Sequence, residues 1–544
     1  MGIFSGIFQR SDNAITAPHE LGLADNNNLS YLYHQEQPLL QLTKNDRFAV
    51  HNAFEGVQIF GGTGSGKTSG SGRALAHAFL RSGWGGLVLC AKPEERALWE
   101  RYAKDTNRED SILVVDGNND IATGGLSFNF IDYELARIDS GATTDNVVSV
   151  LLNIIEASKK NKNSQAENPF WLDASREFLS NAIDVLFTAY GRVKLADIFK
   201  LAQSTQRSEE ELQNPEWQER SFCFKTIRIA YQNPARPMNR MDLETVANYF
   251  RYTFGTLDNR TRSNLMATLS GMISPFMKGK LRELLCSDTN IVPEMTHEGA
   301  IIILDLPIKT WEQSGIVAQH IFKYAWQRAT ERRTQNHHTR PVFLWADECQ
   351  LFTSSYDSEF QSTARSSKVC TVYITQSIEA YLHAQGGNEH AVYSMLTNFQ
   401  TKIFHTNTDN RTNQYAADLI GKWQQWRHNQ SSSSGYSQTE GRSANSSSGW
   451  SSSHGSSGGG TQSNSSSGSS GNSGYGASNS ESTSNNQSSG SQEVIDYLLQ
   501  PSFFTYHLRK GGRKNRFMVD GVVINGGQIW SNNTPALICE FPQK

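Results

Sequence analysis

The chain has 544 residues, 37% apolar and 19% charged, with a formal net charge of −3. That length suits two or three domains around a sizeable core, and the near-balance of charge excludes a global basic field, so any nucleic-acid contact must be a local patch such as a pore lining. Six scattered cysteines without a C-x-x-C pair argue against a zinc site or a disulfide framework and suit a reducing cytosol; no run approaches the roughly 18 apolar residues that span a bilayer, and Met1–Gln9 is too short and lacks the cleavage site of a signal peptide.

Residues 1–50 are polar and weakly patterned and read as an N-terminal arm. From residue 51 to 130, β-branched runs alternate with helical stretches: strands at Val57–Phe60, Gly86–Cys90 and Ile112–Val115, with a helix at Ala74–Arg81 that stops at Gly83. Over 131–295 the period becomes helical. Val147–Ser158, Trp171–Tyr190, Leu195–Gln203 and Leu243–Phe254 predict an all-helical insertion. Strands return over 296–429, at Ala300–Leu304, Val342–Ala346, Val369–Thr375 and Lys402–His405, followed by a helix at Thr412–Trp426. Residues 430–492 are Ser/Gly/Asn-rich with stray aromatics Tyr436, Trp450 and Tyr475; this composition predicts a disordered loop tethered at both ends. Residues 493–544 return to the sheet, with a strand expected at Phe503–Leu508. Strands alternating with helices imply an α/β fold with a mostly parallel sheet covered on both faces.

The first chemical signal is Gly61-Gly62-Thr63-Gly64-Ser65-Gly66-Lys67-Thr68, a G-x-x-x-x-G-K-[ST] loop between a strand and a helix. Backbone N–H groups of such a loop cradle phosphates, Lys67 reaches the β- and γ-phosphates, and the Thr68 hydroxyl ligates Mg²⁺. The second is the apolar strand Val342–Ala346 ending in Asp347-Glu348. Asp347 is the expected Mg²⁺ partner and Glu348 the general base for water, a pairing that favours ATP hydrolysis over a GTP switch. Asp305, after Ile301–Leu304, competes for the metal role. Gln376, at the tip of Val369–Thr375, is a sensor candidate. Arg365 is expected on a connecting segment near the rim of the site, where it could complete a neighbouring subunit's centre, with Arg411 as runner-up. Three basic clusters interleave with aromatics or group along the chain: Lys225–Arg262, Arg328–Arg340 and Arg509–Arg516. Phosphate contacts and stacking platforms have this composition, and so do solvated helix faces.

Taken in order, Gly61–Thr68, Val342–Glu348, Arg365 with Gln376-Ser377, and Asn398–Ile403 resemble the type IV secretion coupling ATPases of the TraG/TraD group, within the HerA/FtsK class of pumping ATPases. Lys92-Pro93-Glu94-Glu95 resembles that group's Pro-Lys-Gly-Glu without its glycine. Asn168–Trp171 resembles the opening of its helical domain, and Ile495–Gly512 its closing strand. The resemblance covers roughly 50–430 and 493–520. It implies a RecA-like P-loop domain using ATP and Mg²⁺, assembled as a homo-hexameric ring. It also implies that the ring moves DNA, with the single strand expected first, or a relaxase–DNA complex, toward secretion-channel or membrane-anchor proteins. The group's usual pair of N-terminal membrane helices has no counterpart here, so a cytoplasmic chain, peripheral at the inner membrane through a partner, is expected. An ATP-gated substrate receptor and a protein-pumping secretion ATPase that ignores DNA remain open alternatives.

Overall fold

The computed structural model describes residues 33–117, 125–136, 144–159, 169–286, 289–336, 338–441 and 478–544. Most of the arm (1–32), Asn168, Trp450, Tyr475 and the stretch 442–477 lie outside the described residues. The chain divides into two units, one running to Ile420 and resuming at Leu499, the other Gly421–Leu498.

The first unit is built on a nine-stranded sheet. Its strands are β3 (Val57–Phe60), β4 (Gly85–Leu89), β5 (Ile112–Asp116), β6 (Ile301–Asp305), β7 (Val342–Asp347), β8 (Val369–Thr375), β9 (Thr401–Phe404), β12 (Met518–Asn525) and β13 (Ala536–Pro542). They lie in the order β13-β12-β9-β3-β8-β7-β4-β6-β5. Seven run parallel, while β12 and β13 close one edge antiparallel. Central strands such as β3, β7 and β8 are buried along their whole length, as the continuous apolar runs require of a sheet covered on both faces. Aromatic residues fill one side: Phe79 stacks on Trp84 at 4.7 Å, and Trp99 on Phe343 at 5.4 Å.

Between β5 and β6 the described chain is helical, from Phe130–Leu135 to Gly279–Cys286. Its long helix Pro169–Tyr190 buries Phe178 against Phe250 and Phe254, with ring centroids 6.2 and 4.8 Å apart.

Four expectations need correction. Residues 33–50 are no loose arm: β1 (Pro38–Gln41) and β2 (Arg47–Ala49) pair antiparallel, Leu39, Leu42 and Phe48 are buried, and Asp46 is tied to Ser531 by two hydrogen bonds of 2.8 and 2.6 Å. Phe503–Leu508 is not a strand, because Pro501 at the first helical turn starts the helix Pro501–Tyr506. The helix expected at Thr412–Trp426 ends at Ile420, where Gly421 adopts φ 89° and stops it. The fourth is the second unit. β10 (Lys422–Gly441) and β11 (Ser478–Tyr497) form an antiparallel ribbon in continuous register from Lys422↔Tyr497 to Gly441↔Ser478. The parts of the Ser/Gly/Asn tract at 430–441 and 478–492 thus belong to paired strands, each of 20 residues and about 65 Å long at ~3.3 Å per residue. A ladder of backbone hydrogen bonds needs no apolar alternation, so composition carries no sign of it.

Candidate nucleotide site

The carboxyl ends of β3, β8, β7, β4 and β9 meet along one edge of the sheet, where parallel α/β folds bind ligands. The Gly-rich loop leaves β3 there. Gly61 N donates to Thr375 O at 3.3 Å and Gly62 N to Thr406 O at 2.9 Å, so the loop is fastened to both neighbouring strands. Gly64 and Gly66 take φ 69° and 87°, a conformation that costs a side-chain-bearing residue strain. At Gly66 a Cβ would also lie 2.5 Å from Val519 Cγ2 of β12. Lys67 is buried, and the chain then enters the helical turn Thr68–Gly72 and the helix Arg73–Arg81. His405, at the end of β9, holds that turn. Its Nε2 lies 2.7 Å from Ser71 Oγ and its Nδ1 2.7 Å from Asp520 O, and burial pushes its pKa down to about 4, so the ring is neutral.

Asp347 and Glu348 complete the site from β7. The Thr68 hydroxyl donates to Asp347 Oδ2 at 2.8 Å, which brings together the two residues expected to hold Mg²⁺. Both offer hard oxygens on one side of the loop, a donor set that fits Mg²⁺, and the loop with Lys67 fits a nucleotide's phosphates. Glu348 sits in the left-handed region at φ 50°, a strained position that re-aims its carboxylate away from the strand direction. Glu348 Oε1 accepts from Lys92 Nζ at 2.8 Å and from Gln376 Nε2 at 3.3 Å, and its Oε2 from Gln350 Nε2 at 3.0 Å. Burial by itself would raise the Glu348 pKa; the hydrogen bonds from Lys92 and Gln350, with the charges of Lys92 and Lys67, outweigh it and hold the carboxyl below its ordinary value. Gln376 bridges the site, since its Oε1 accepts from Thr63 Oγ1 of the loop at 3.4 Å and Asn407 Nδ2 holds its carbonyl at 2.8 Å.

Asp305 stands apart. It ends β6, two strands from β7, and shares Arg96 with Asp116 at 3.2 and 2.9 Å. Arg365 also departs from expectation. It precedes β8 and pairs with Glu55 at 3.4 Å before β3, on the edge opposite its own Gly-rich loop, about 20 Å away at ~3.3 Å per residue. Arg411 lies on the loop's edge of the sheet but is paired with Glu379 and Glu389 at 2.7 and 2.5 Å. Sequence reasoning singled out Lys92 only as part of a motif, and left out Gln350 and Asn407. Their signal is position: each follows a core strand at its carboxyl end, within three residues of its last residue.

The basic clusters separate. Arg332 faces Glu134 at 3.5 Å, Arg333 donates to Arg340 O and Ser367 O at 2.9 and 2.7 Å, and Arg340 donates to Gly83 O, so these arginines tie loops together. Arg509 is spent on Asp520 and Glu540 at 2.7 and 2.5 Å. Lys510, Arg513, Lys514 and Arg516 of that cluster are exposed, as are Lys225, Arg228, Tyr231, Arg236, Arg240, Arg251, Tyr252 and Arg260 of the helical insertion; there Arg240 pairs with Glu244 at 3.3 Å and Arg251 with Glu209 at 3.0 Å, and the Arg251 guanidinium lies 4.8 Å over the Tyr252 ring.

Residues 341–458 match the family described as the TraM recognition site of TraD and TraG. Among solved structures, the bacterial conjugative coupling protein TrwBdeltaN70, in its unbound monoclinic form, has the same fold at a TM-score of 0.54 and 12% identity, over 99% of this chain and 94% of that one. TrwB in complex with ADP and Mg²⁺ gives 0.53 at 11% identity, over 99% and 95%. Its complex with the ATP analogue ADPNP gives 0.52 at 11%, over 96% and 92%. No curated protein sequence matches the chain. Among the described residues, no helix is long and apolar enough to cross a membrane. In its RecA-like α/β P-loop fold, and in the sequence of the segment that carries Asp347, Glu348, Arg365 and Gln376, this chain is similar to the type IV coupling proteins of the TraG/TraD group.

Proposed function

We propose that this chain is an ATP-hydrolysing ring motor that recruits and moves DNA, or a relaxase–DNA complex, as a coupling ATPase of conjugation or type IV secretion. The observation that carries the reading is the 2.8 Å contact between Thr68 and Asp347, with Glu348 next in the chain and bonded to Gln376, which joins a phosphate loop to a water-activating carboxylate. Lys67 neutralises the β- and γ-phosphates, and Gln376 positions the attacking water whose proton Glu348 accepts. Bound by Thr68 and Asp347, Mg²⁺ would offset the triphosphate's charge.

Arg365 is 65% exposed and cannot reach the phosphates of its own chain, which supports its action in trans in a homo-hexamer. Mixing Arg365→Ala with Lys67→Ala, each inactive alone, restores hydrolysis if the centre is shared; no recovery in mixed rings counts against it. The exposed basic and aromatic residues of the insertion supply phosphate contacts and a stacking platform for DNA. The match to a TraM recognition site supports an accessory partner protein that docks on residues 341–458. A peripheral place at the inner membrane, through a channel or anchor protein, completes the reading; fractionation with and without the other secretion components tests it. The central test is ATP turnover with no DNA, single-stranded DNA and duplex DNA across protein concentration. Turnover that rises with DNA and with assembly supports the motor. Turnover indifferent to every DNA favours a protein-pumping ATPase.

A further inference from the structure

Lys92 stands on the exit turn of β4 with its backbone anchored and its side chain partly exposed. The buried Glu95 carboxyl, its pKa pushed up to about 8 by burial, accepts from Ala91 N at 2.7 Å and Lys92 N at 3.4 Å, Ile308 N holds Ala91 O at 3.2 Å, and Pro93 restricts the backbone of Lys92 before it. Beyond that anchor the Lys92 side chain is 41% exposed, on a stem of four methylenes that can swing. Its Nζ lies 2.8 Å from Glu348 Oε1 and 3.8 Å from Asp347 Oδ2. That Oδ2 is the same atom that accepts the Thr68 hydroxyl at 2.8 Å. Lys92 thus puts a positive charge beside the oxygen pair, Thr68 Oγ1 and Asp347 Oδ2, that would ligate a divalent cation.

We propose that Lys92 is a built-in competitor of the divalent cation, a movable ammonium that holds Asp347 and Glu348 together until metal and nucleotide displace it. Like charges this close repel, so a cation held by Thr68 and Asp347 and the Lys92 ammonium at Asp347 disfavour one another. Release of Lys92 also removes the charged donor from Glu348 Oε1, leaving it only the neutral Gln376 amide at 3.3 Å, and Glu348 is the group assigned to take the proton of water. The device ties base activation to metal loading: with the ammonium in place the carboxylate is engaged, and the metal that removes it is the one the nucleotide brings. Lys92 is therefore a positioning residue for Glu348. Its turnover consequence rests on the ATPase reading above; its metal consequence does not.

The experiment measures Mn²⁺ binding by electron paramagnetic resonance on the full chain without nucleotide. Lys92→Met keeps the stem and removes the charge, and is expected to bind Mn²⁺ about two- to five-fold more tightly, the scale of a partly exposed ion pair. Lys92→Arg is expected to stay at the wild-type affinity. Adding Asp347→Asn to Lys92→Met should abolish the gain. In hydrolysis assays the Mg²⁺ concentration for half-maximal rate should fall in Lys92→Met by the same factor. Mn²⁺ affinity in Lys92→Met equal to or below wild type overturns the proposal, as does a gain that survives Asp347→Asn. A wild-type chain that hydrolyses no ATP defeats the ATPase reading and leaves the metal measurement to decide on Lys92.

Discussion

Two lysine–carboxylate contacts of nearly equal length lie on either side of the loop that follows β7, and they do different work. Lys92 meets Glu348 at 2.8 Å with the lysine side chain 41% exposed and the glutamate 10%. Lys323 meets Asp357 at 2.6 Å with the two side chains 1% and 2% exposed. Around the buried pair the remaining sites are filled: Asp357 also accepts from Ser354 N at 2.6 Å, Gln327 Nε2 at 2.8 Å and Tyr373 OH at 2.9 Å, and Lys323 also donates to Phe352 O at 2.5 Å. Burial alone would raise the Asp357 pKa, yet the Lys323 charge and these hydrogen bonds hold it below the ordinary value. The network joins the helix Ile308–Arg332, the segment after β7, the helix Ser355–Thr363 and β8. The exposed pair has a movable member and a carboxylate shared with Gln376. Distance does not separate structural from functional ion pairs here; burial, and how completely each oxygen is already used, does.

Four measurements break or sharpen that comparison. Glu348→Gln is expected to lower ATP turnover about 10²- to 10⁴-fold while nucleotide binding persists, since only proton acceptance is removed; turnover near wild type would move the base elsewhere. Asp357→Ala leaves the Lys323 ammonium buried without its partner and is expected to cost about 3–5 kcal/mol of unfolding free energy in denaturant titrations, with loss of activity only through loss of fold. A cost under about 1 kcal/mol would put the two pairs in the same class.

His405 extends the buried side of the comparison to a neutral group. Its folded pKa of about 4 lies below its ordinary value, so between those values the unfolded chain binds the proton and the folded chain does not. Stability is therefore full above about pH 6.5, falls as pH drops through that window, and levels off below about 4, by up to ~3 kcal/mol for this residue. His405→Gln should flatten the corresponding part of the thermal unfolding temperature against pH profile. Lys92→Met gives the smallest change, expected to alter unfolding free energy by under about 1 kcal/mol because the pair is partly solvated. A loss comparable to that of Asp357→Ala would make Lys92 structural.

The Gly-rich loop could be read from the sequence because a phosphate cradle is local: glycines, lysine and hydroxyl must be contiguous for successive N–H groups to converge. Asp347-Glu348 was visible for a related reason, as carboxylates at the end of an apolar run, and so were the parallel sheet and the helical insertion, whose periods differ. The ribbon was not visible, because paired polar strands leave no pattern, and neither was the helix at Pro501–Tyr506, where apolar content suggested a strand and proline placement decided otherwise.

Residue types and their spacing determined that this protein has a P-loop, a carboxylate pair and an α/β core. Only tertiary structure decided which side chains meet them. Lys92 reaches Glu348 across 256 positions because β4 and β7 are neighbours in the sheet. Asp305, an equal candidate on paper, is drawn off by Arg96 because β6 lies one strand further out. Arg365 falls on the far edge because it enters β8 rather than leaving it. Strand order and direction set these contacts, and both come from the packing of the whole sheet, which no local stretch of sequence encodes.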